Sequence, residues 1–210
     1  GPFIVENGSA IFFKKENFPG LAVDCEEMDG YQFLTLGSKY NEIIHFFNNW
    51  REKFSLSVTG FNEMSIEQVM KLTDLNYADA ELARKRFFSE PFILNDNSTI
   101  TKNACDDLRQ NGFRLLQGNR FYHLLGNSDK GAAVKKVTEF YKKTWSVNTV
   151  TTIGIGDSMN DLEMLKVVDK PVLVKKADGA HQTGVEVNNL IRTDGIGPAG
   201  WQEAIFKLLD

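Results

Sequence analysis

Cysteine is scarce in this chain of 210 residues. There are two, Cys25 and Cys105. Their wide separation supports neither a metal-binding pair nor a disulfide framework, and it fits a reducing cytoplasm. Long apolar runs are also missing. Nothing approaches the ~20 residues that a membrane span requires, so no membrane partner is expected. No cleavable signal opens the chain, which leaves secretion without support. An excess of positive charge is absent as well: 24 Lys and Arg against 28 Asp and Glu leave a formal net charge of −4. That balance argues against nucleic acid as a partner. No internal repeat or low-complexity segment is visible. What remains is ordinary for a folded domain, with 42% hydrophobic and 25% charged residues. The length suits one large domain or two small ones.

Apolar patterning divides the chain. Phe3-Ile4-Val5 reads as a buried strand with no lead-in, which suggests that a segment upstream is missing. Glu6-Asn7-Gly8 ends it, and Ala10 to Phe13 is a second apolar run. From about 18 to 125, strands and helices alternate. Tyr31 to Leu36 reads as a strand. Tyr40, Ile43, Ile44, Phe47, Trp50 and Phe54 recur at helical spacing. Leu56 to Thr59 is a short strand. Ser65 with Gln68 three residues on is a capping-box signature. A helix follows over Tyr77 to Arg86, with Pro91 closing that region before the strand Phe92 to Leu94 and the turn-rich Asn95 to Ser98. Thr101 to Gln110 is helical, and Gly112 sits where a helix stop belongs. Phe113 to Leu116 and Phe121 to Leu125 form a hairpin about Gly118-Asn119. Beyond Gly126 come a helix over 128–143, a buried strand over 150–155, a loop leading into a helix to about 167, and a strand over 171–174. A short strand over 189–192, a turn at Gly197-Pro198 and a closing helix over 201–209 complete the chain. The pattern is α/β, with a βαβ module at the end and an α+β module in the middle.

Three groups of side chains carry chemical potential. Gly156-Asp157-Ser158-Met159-Asn160-Asp161 follows an apolar strand, and ligand sites of open α/β sheets lie beyond the carboxyl ends of strands. Asp157, Asn160 and Asp161 crowd oxygen atoms there, a set that suits magnesium. The same residues also suit a plain capped turn. Gly126-Asn127-Ser128-Asp129-Lys130-Gly131 opens a helix, and Lys130 falls in its first turn. A cation there opposes the helix dipole by ~0.3–1 kcal/mol, unless an anion is bound; a solvated lysine is the other reading. The third group is basic: Arg84, Lys85 and Arg86, with Arg120 and His123 expected on one face of the strand 120–123. Such a face suits an anionic small molecule, or is a solvated surface. Glu6-Asn7-Gly8 lines a site or forms a turn. His45 and His181 read as structural or solvated, Gly195 to Pro198 as a turn, and the 16 phenylalanines as core.

Six stretches then combine in order: Pro-Phe-Ile-Val-Glu-Asn-Gly at 2–8, Arg-Phe-Phe-Ser-Glu-Pro-Phe at 86–92, Arg-Phe-Tyr-His-Leu at 120–124, Gly-Asn-Ser-Asp-Lys-Gly at 126–131, Gly-Asp-Ser-Met-Asn-Asp at 156–161 and Gly-Pro-Ala-Gly-Trp at 197–201. Together they resemble the haloacid dehalogenase-superfamily phosphatases, and within them the mannosyl-3-phosphoglycerate phosphatases. The lysine and Gly-Asp-x-x-Asn-Asp motifs mark only the superfamily; the others narrow the likeness. It implies a Rossmannoid core over 1–17 and 126–210 with an inserted α/β cap over 18–125. It implies a small anionic sugar phosphate as partner and Mg2+ as cofactor, with mannosylglycerate and phosphate as products. Carried over by residue, Lys130 would hold the phosphate and, with Asp161, serve catalysis, Asp157 would ligate magnesium, and Asn160 and Asp161 would organise the metal and lysine environment. Ser158, Asn160, Asn127, Asn7 and Gly8 are expected on the substrate phosphate. Arg86, Glu90, Arg120 and His123 are expected to grip the glycerate carboxylate and the sugar.

The same likeness calls for an aspartate nucleophile in an Asp-x-Asp motif on the first core strand and a Ser/Thr motif on the second. No Asp-x-Asp occurs in the 210 residues, and the match begins at the third strand. A segment on the order of 40–50 residues, two βα units, is therefore expected to be missing, and the 210 residues alone are expected to be inactive. Two alternatives remain open: a related phosphatase for another sugar phosphate, and a non-catalytic module that binds an anion or a partner.

Overall fold

The computed structural model describes residues 1–18, 25–95, 98–118 and 120–209. The chain forms two compact units, one from 1–34 with 129–210 and one from 35–128.

The first unit opens with β1 (Phe3–Val5) and β2 (Ala10–Phe13), paired antiparallel in the register Ile4↔Ile11. The strands β3 (Glu26–Met28) and β4 (Tyr31–Thr35) follow as a second antiparallel pair. Their two-residue connection, Asp29-Gly30, has φ of 50° and 77°, the backbone that a tight right-twisting hairpin demands. The four strands share one sheet in the order β1-β2-β4-β3. Stacked rings of Phe3, Phe12 and Phe33 cross it. The expected boundary at 17/18 is thus displaced: the segment 25–34 belongs to the first unit because its hairpin completes that sheet. The strand β3, with its two exposed glutamates, escaped the apolar pattern. The Asp-Gly pair was its signal.

The second unit runs α1 (Tyr40–Lys53), β5 (Val58–Gly60), α2 (Ile66–Thr73), α3 (Tyr77–Arg84), β6 (Ser89–Leu94), α4 (Lys102–Gln110), β7 (Phe113–Gln117) and β8 (Tyr122–Gly126). Its antiparallel sheet has the order β5-β6-β8-β7. Ile43, Phe47 and Trp50 of α1 and Ala104 and Leu108 of α4 pack on Val58, Phe92 and Leu124. The indole of Trp50 donates to the Ala104 carbonyl at 3.0 Å. Adjacent residues of a strand face opposite sides, so Ile93 points away from Phe92 and joins Val69 and Ala80 of the α2–α3 pair. Pro91, expected to close the preceding region, instead lies inside β6. Its side of the strand faces beyond the end of β5, where no ladder donor is needed, and its carbonyl accepts from Phe61 N–H at 2.9 Å. The turn at Asp96, Asn97 and Asn119 lies outside the described residues.

The first unit resumes with α5 (Lys130–Trp145), β9 (Ile153–Gly156), α6 (Leu162–Leu165), β10 (Lys170–Lys175), β11 (Ile191–Ile196) and α7 (Gly197–Leu209). The strands pair in parallel in the order β11-β10-β9. Both faces of β10 are covered, Val172 and Val174 by Ala204 of α7 and Leu173 by Leu165 and Val185. This explains the uninterrupted apolar pattern. The turn expected at Gly197-Pro198 is instead the first turn of α7. A proline fits there because the first helical N–H groups need no intrahelical partner. No described helix is long and apolar enough to cross a membrane.

Candidate active site

Two loops of the first unit meet beyond the carboxyl end of β9. The strand stops at Gly156, and Ser158–Asp161 curls into a 3-10 turn. There Asp161 Oδ2 accepts from the backbone N–H of Asp157 at 3.1 Å and of Ser158 at 3.3 Å, and from the Ser158 hydroxyl at 3.0 Å. The Ser158 hydroxyl also contacts Asn160 Oδ1. Opposite, Asp129 caps α5 by accepting from Ala132 N–H at 2.7 Å, which places Lys130 in the first turn. Lys130 Nζ lies 2.6 Å from Asp161 Oδ1, with the Asp161 side chain 10% exposed. Partial burial raises the value of such a charge-assisted bond above that of a surface pair. It also offsets the cost of a cation at a helix N-terminus. Asp161 is therefore fully occupied as an organiser. The Asp157 carboxylate is exposed and makes no hydrogen bond among the described residues.

The turn after β1 closes this arrangement. Gly8 has φ of 97°, and a Cβ built on it would lie 2.3 Å from the Asp129 carbonyl carbon and 2.6 Å from Lys130 N. Only glycine permits this approach to the start of α5. Asn7 Oδ1 stands 3.5 Å from Asn160 Nδ2. Thus Asn7, Gly8, Lys130, Asp157, Ser158, Asn160 and Asp161 lie together at this end of the sheet. A cavity of about 510 Å³ opens beside them, lined by Asp157, Asp161, Ile155, Val174, Pro198 and Trp201. Sequence reasoning did not place Pro198 and Trp201 there. Their motif was visible, but its role as a wall comes only from the packing of α7 on the sheet.

The second unit separates the residues expected to grip substrate. Arg86 Nη2 donates to Ser89 Oγ at 2.7 Å. His123 pairs across the sheet with Pro91, on the face that Ser89 shares. Glu90 points to the opposite face and is fully buried. It accepts from Tyr40 Oη at 2.7 Å and from Asn62 N–H at 3.0 Å, and this burial lifts its carboxyl above the ordinary glutamate range. Its oxygens tie α1, β6 and the segment after β5 together, so the structure makes it an internal strut. Arg120 lies before β8 and bonds the Leu72 carbonyl at 3.0 Å and Asp74 at 2.8 Å. Because Arg120 precedes β8, the strand alternation expected to set its face with His123 does not reach it, and its partners at the end of α2 hold it instead. Asn127 is exposed. His181 Nε2 meets the Thr193 carbonyl at 3.1 Å, a structural role as expected.

Among the described residues, no three His, Cys, Asp or Glu side chains cluster as a complete metal site. Magnesium takes one or two carboxylates and keeps several waters, so the exposed Asp157 carboxylate fits as one ligand of such an ion.

A protein of Persephonella marina named glucosyl-3-phosphoglycerate/mannosyl-3-phosphoglycerate phosphatase is 38% identical over 210 residues, all of this chain and 76% of the relative. One of the same name from Methanococcoides burtonii is 37% identical over 99% of this chain and 76% of its own length. A mannosyl-3-phosphoglycerate phosphatase of Pyrococcus furiosus is 35% identical over 90% and 74%. Among solved structures, a subclass IIB sugar phosphatase of the haloacid dehalogenase superfamily superposes with a TM-score of 0.55 at 13% identity, covering 99% of this chain and 74% of that one. The family model for haloacid dehalogenase-like hydrolases matches residues 2–183, and the chain belongs to that family.

Proposed function

We propose that these residues form the phosphate-binding part of a Mg2+-dependent phosphatase. Its substrate is mannosyl-3-phosphoglycerate, or the glucosyl analogue, and its products are the glycosylglycerate and phosphate. The observation that carries the reading is the Lys130–Asp161 pair at 2.6 Å beside the free carboxylate of Asp157. Lys130 neutralises charge on the phosphoryl oxygens, and the positive end of α5 adds to that field. Asp161 fixes the ammonium and the turn that presents Asp157. Asn160 offers an amide to the same group. Asp157 would hold a magnesium ion in part, and that ion would supply Lewis-acid polarisation when bound. The second unit is the specificity element, with Arg86 and His123 as its remaining candidates for the glycerate and the sugar. The names of the relatives support this substrate class.

Calorimetric titration of the 210-residue chain with mannosyl-3-phosphoglycerate and Mg2+ tests the reading. Saturable binding is expected, weakened about ten- to a hundredfold in Lys130→Ala through loss of a charge-assisted bond, with its Mg2+ dependence lost in Asp157→Ala. Unchanged affinity in both variants overturns the roles. Tighter binding of a sugar phosphate without the glycerate carboxylate overturns the substrate. A second reading, binding without turnover, is favoured by the lack of any Asp-x-Asp pair. Phosphate release from the bound ester excludes it.

A further inference from the structure

Three consecutive residues after β1 adopt left-handed backbone: Glu6, Asn7 and Gly8, with φ of 45°, 60° and 97°. Residues other than glycine avoid this region, asparagine least of them. A glycine at position 7 would satisfy the backbone at lower cost. A side chain kept at such a position points to a use for it. We propose that Asn7 is a positioning residue, holding the amide of Asn160 in one orientation toward the phosphate site.

The geometry is connected at each step. Gly8 lies flush on the backbone of Asp129 and Lys130, so the turn is fixed relative to the start of α5. From there Asn7 Oδ1 faces Asn160 Nδ2 at 3.5 Å, a long contact of the kind that tightens when a ligand arrives. The other end of the Asn160 amide, Oδ1, takes the Ser158 hydroxyl. That hydroxyl also reaches Asp161, the partner of Lys130. The hydroxyl has one proton and donates to only one of these two oxygens at a time, so the contact with Asn7 is what decides the orientation of the Asn160 amide. Its second N–H is left for a phosphoryl oxygen. Asn7 acts through Asn160 and does not touch substrate. The inference rests on the phosphatase reading above.

Two measurements on the full 210-residue chain test it. The first is the Asn160 side-chain amide in a 15N-resolved NMR spectrum. In Asn7→Gly, which keeps the turn because glycine accepts its backbone, the Asn160 resonances should shift and their protons exchange faster. Asn7→Asp keeps the acceptor and should preserve them. The second is titration with inorganic phosphate and Mg2+. Asn7→Gly and Asn160→Ala should each weaken binding about three- to tenfold, the range of one hydrogen bond. The double variant should lose no more than Asn160→Ala alone.

Unchanged Asn160 resonances in Asn7→Gly overturn the proposal, as do additive losses in the double variant. A wild-type chain that shows the amide coupling yet binds no phosphate overturns the phosphatase reading, and the positioning role with it.

Discussion

A carboxyl sealed from water keeps its proton to a higher pH than one in solvent, and Glu90 is the residue where this matters most. Burial outweighs the hydrogen bonds from Asn62 and Tyr40 and the nearby Arg86, so its pKa lies above the ordinary 4.5. The folded chain then binds more protons at this site than the unfolded chain between those two values. Stability from Glu90 is highest below the unfolded pKa and falls as pH rises through the folded one. Glu63 works in the opposite sense. Its bond from Arg51 holds its carboxyl low, so its contribution appears above the ordinary value and is lost in acid. The difference between wild type and Glu90→Gln isolates the first effect. The wild-type melting temperature should drop relative to the variant as pH is raised from about 4 to about 8. A difference that stays constant across that range would show that Glu90 does not titrate there.

At the scale of elements, the capping residues were the most legible. Ser65 and Gln68 form the reciprocal cap that the sequence announced: Gln68 N–H donates to Ser65 Oγ at 3.2 Å, and Ser65 N–H to Gln68 Oε1 at 2.7 Å. Asn76, Thr101 and Asp129 cap α3, α4 and α5 with a single side-chain acceptor each. These signals are local, so they survive without knowledge of the fold. Ser65→Ala should cost about 1 kcal/mol, and Ser65→Gly only a few tenths, because glycine leaves the cap's backbone groups open to water. Chemical denaturation of both variants measures this. Equal losses in the two would refute capping as the cause. Strand limits were read less well, because they depend on partners. The run at 150–155 opens with Val150, Thr151 and Thr152, all strand-forming residues, yet β9 begins at Ile153, where Lys170 of β10 first stands opposite.

For the whole molecule, the sequence revealed the division into α/β and α+β parts but misplaced its edge. A two-residue Asp-Gly hairpin decides that edge, and β3 lacks the apolar residues that would have flagged it. The candidate site was legible on the first unit, where each motif sits in one short loop. It was less legible on the second, where the face of a strand and the depth of burial decide whether Glu90 or Arg120 is available. Each unit nevertheless carries its own interior. Ile43, Phe47, Trp50, Phe92 and Leu124 fill one; Leu165, Leu173, Val172 and Val174 fill the layers about the parallel sheet of the other. Separate cores permit separate unfolding. Phe47 is wholly buried between Trp50 and Phe92, with ring centroids at 6.5 and 5.1 Å. Its truncation to alanine should cost about 3–5 kcal/mol. Trp50 is buried, whereas Trp145 and Trp201 are largely exposed, so the blue-shifted part of the fluorescence reports the second unit. In Phe47→Ala the urea transition of that signal should move to lower concentration, while the hydrogen-exchange protection of β10 amides stays at the wild-type level. If the β10 amides lose protection by the same free energy, the two cores unfold as one cooperative body and the division is only geometric.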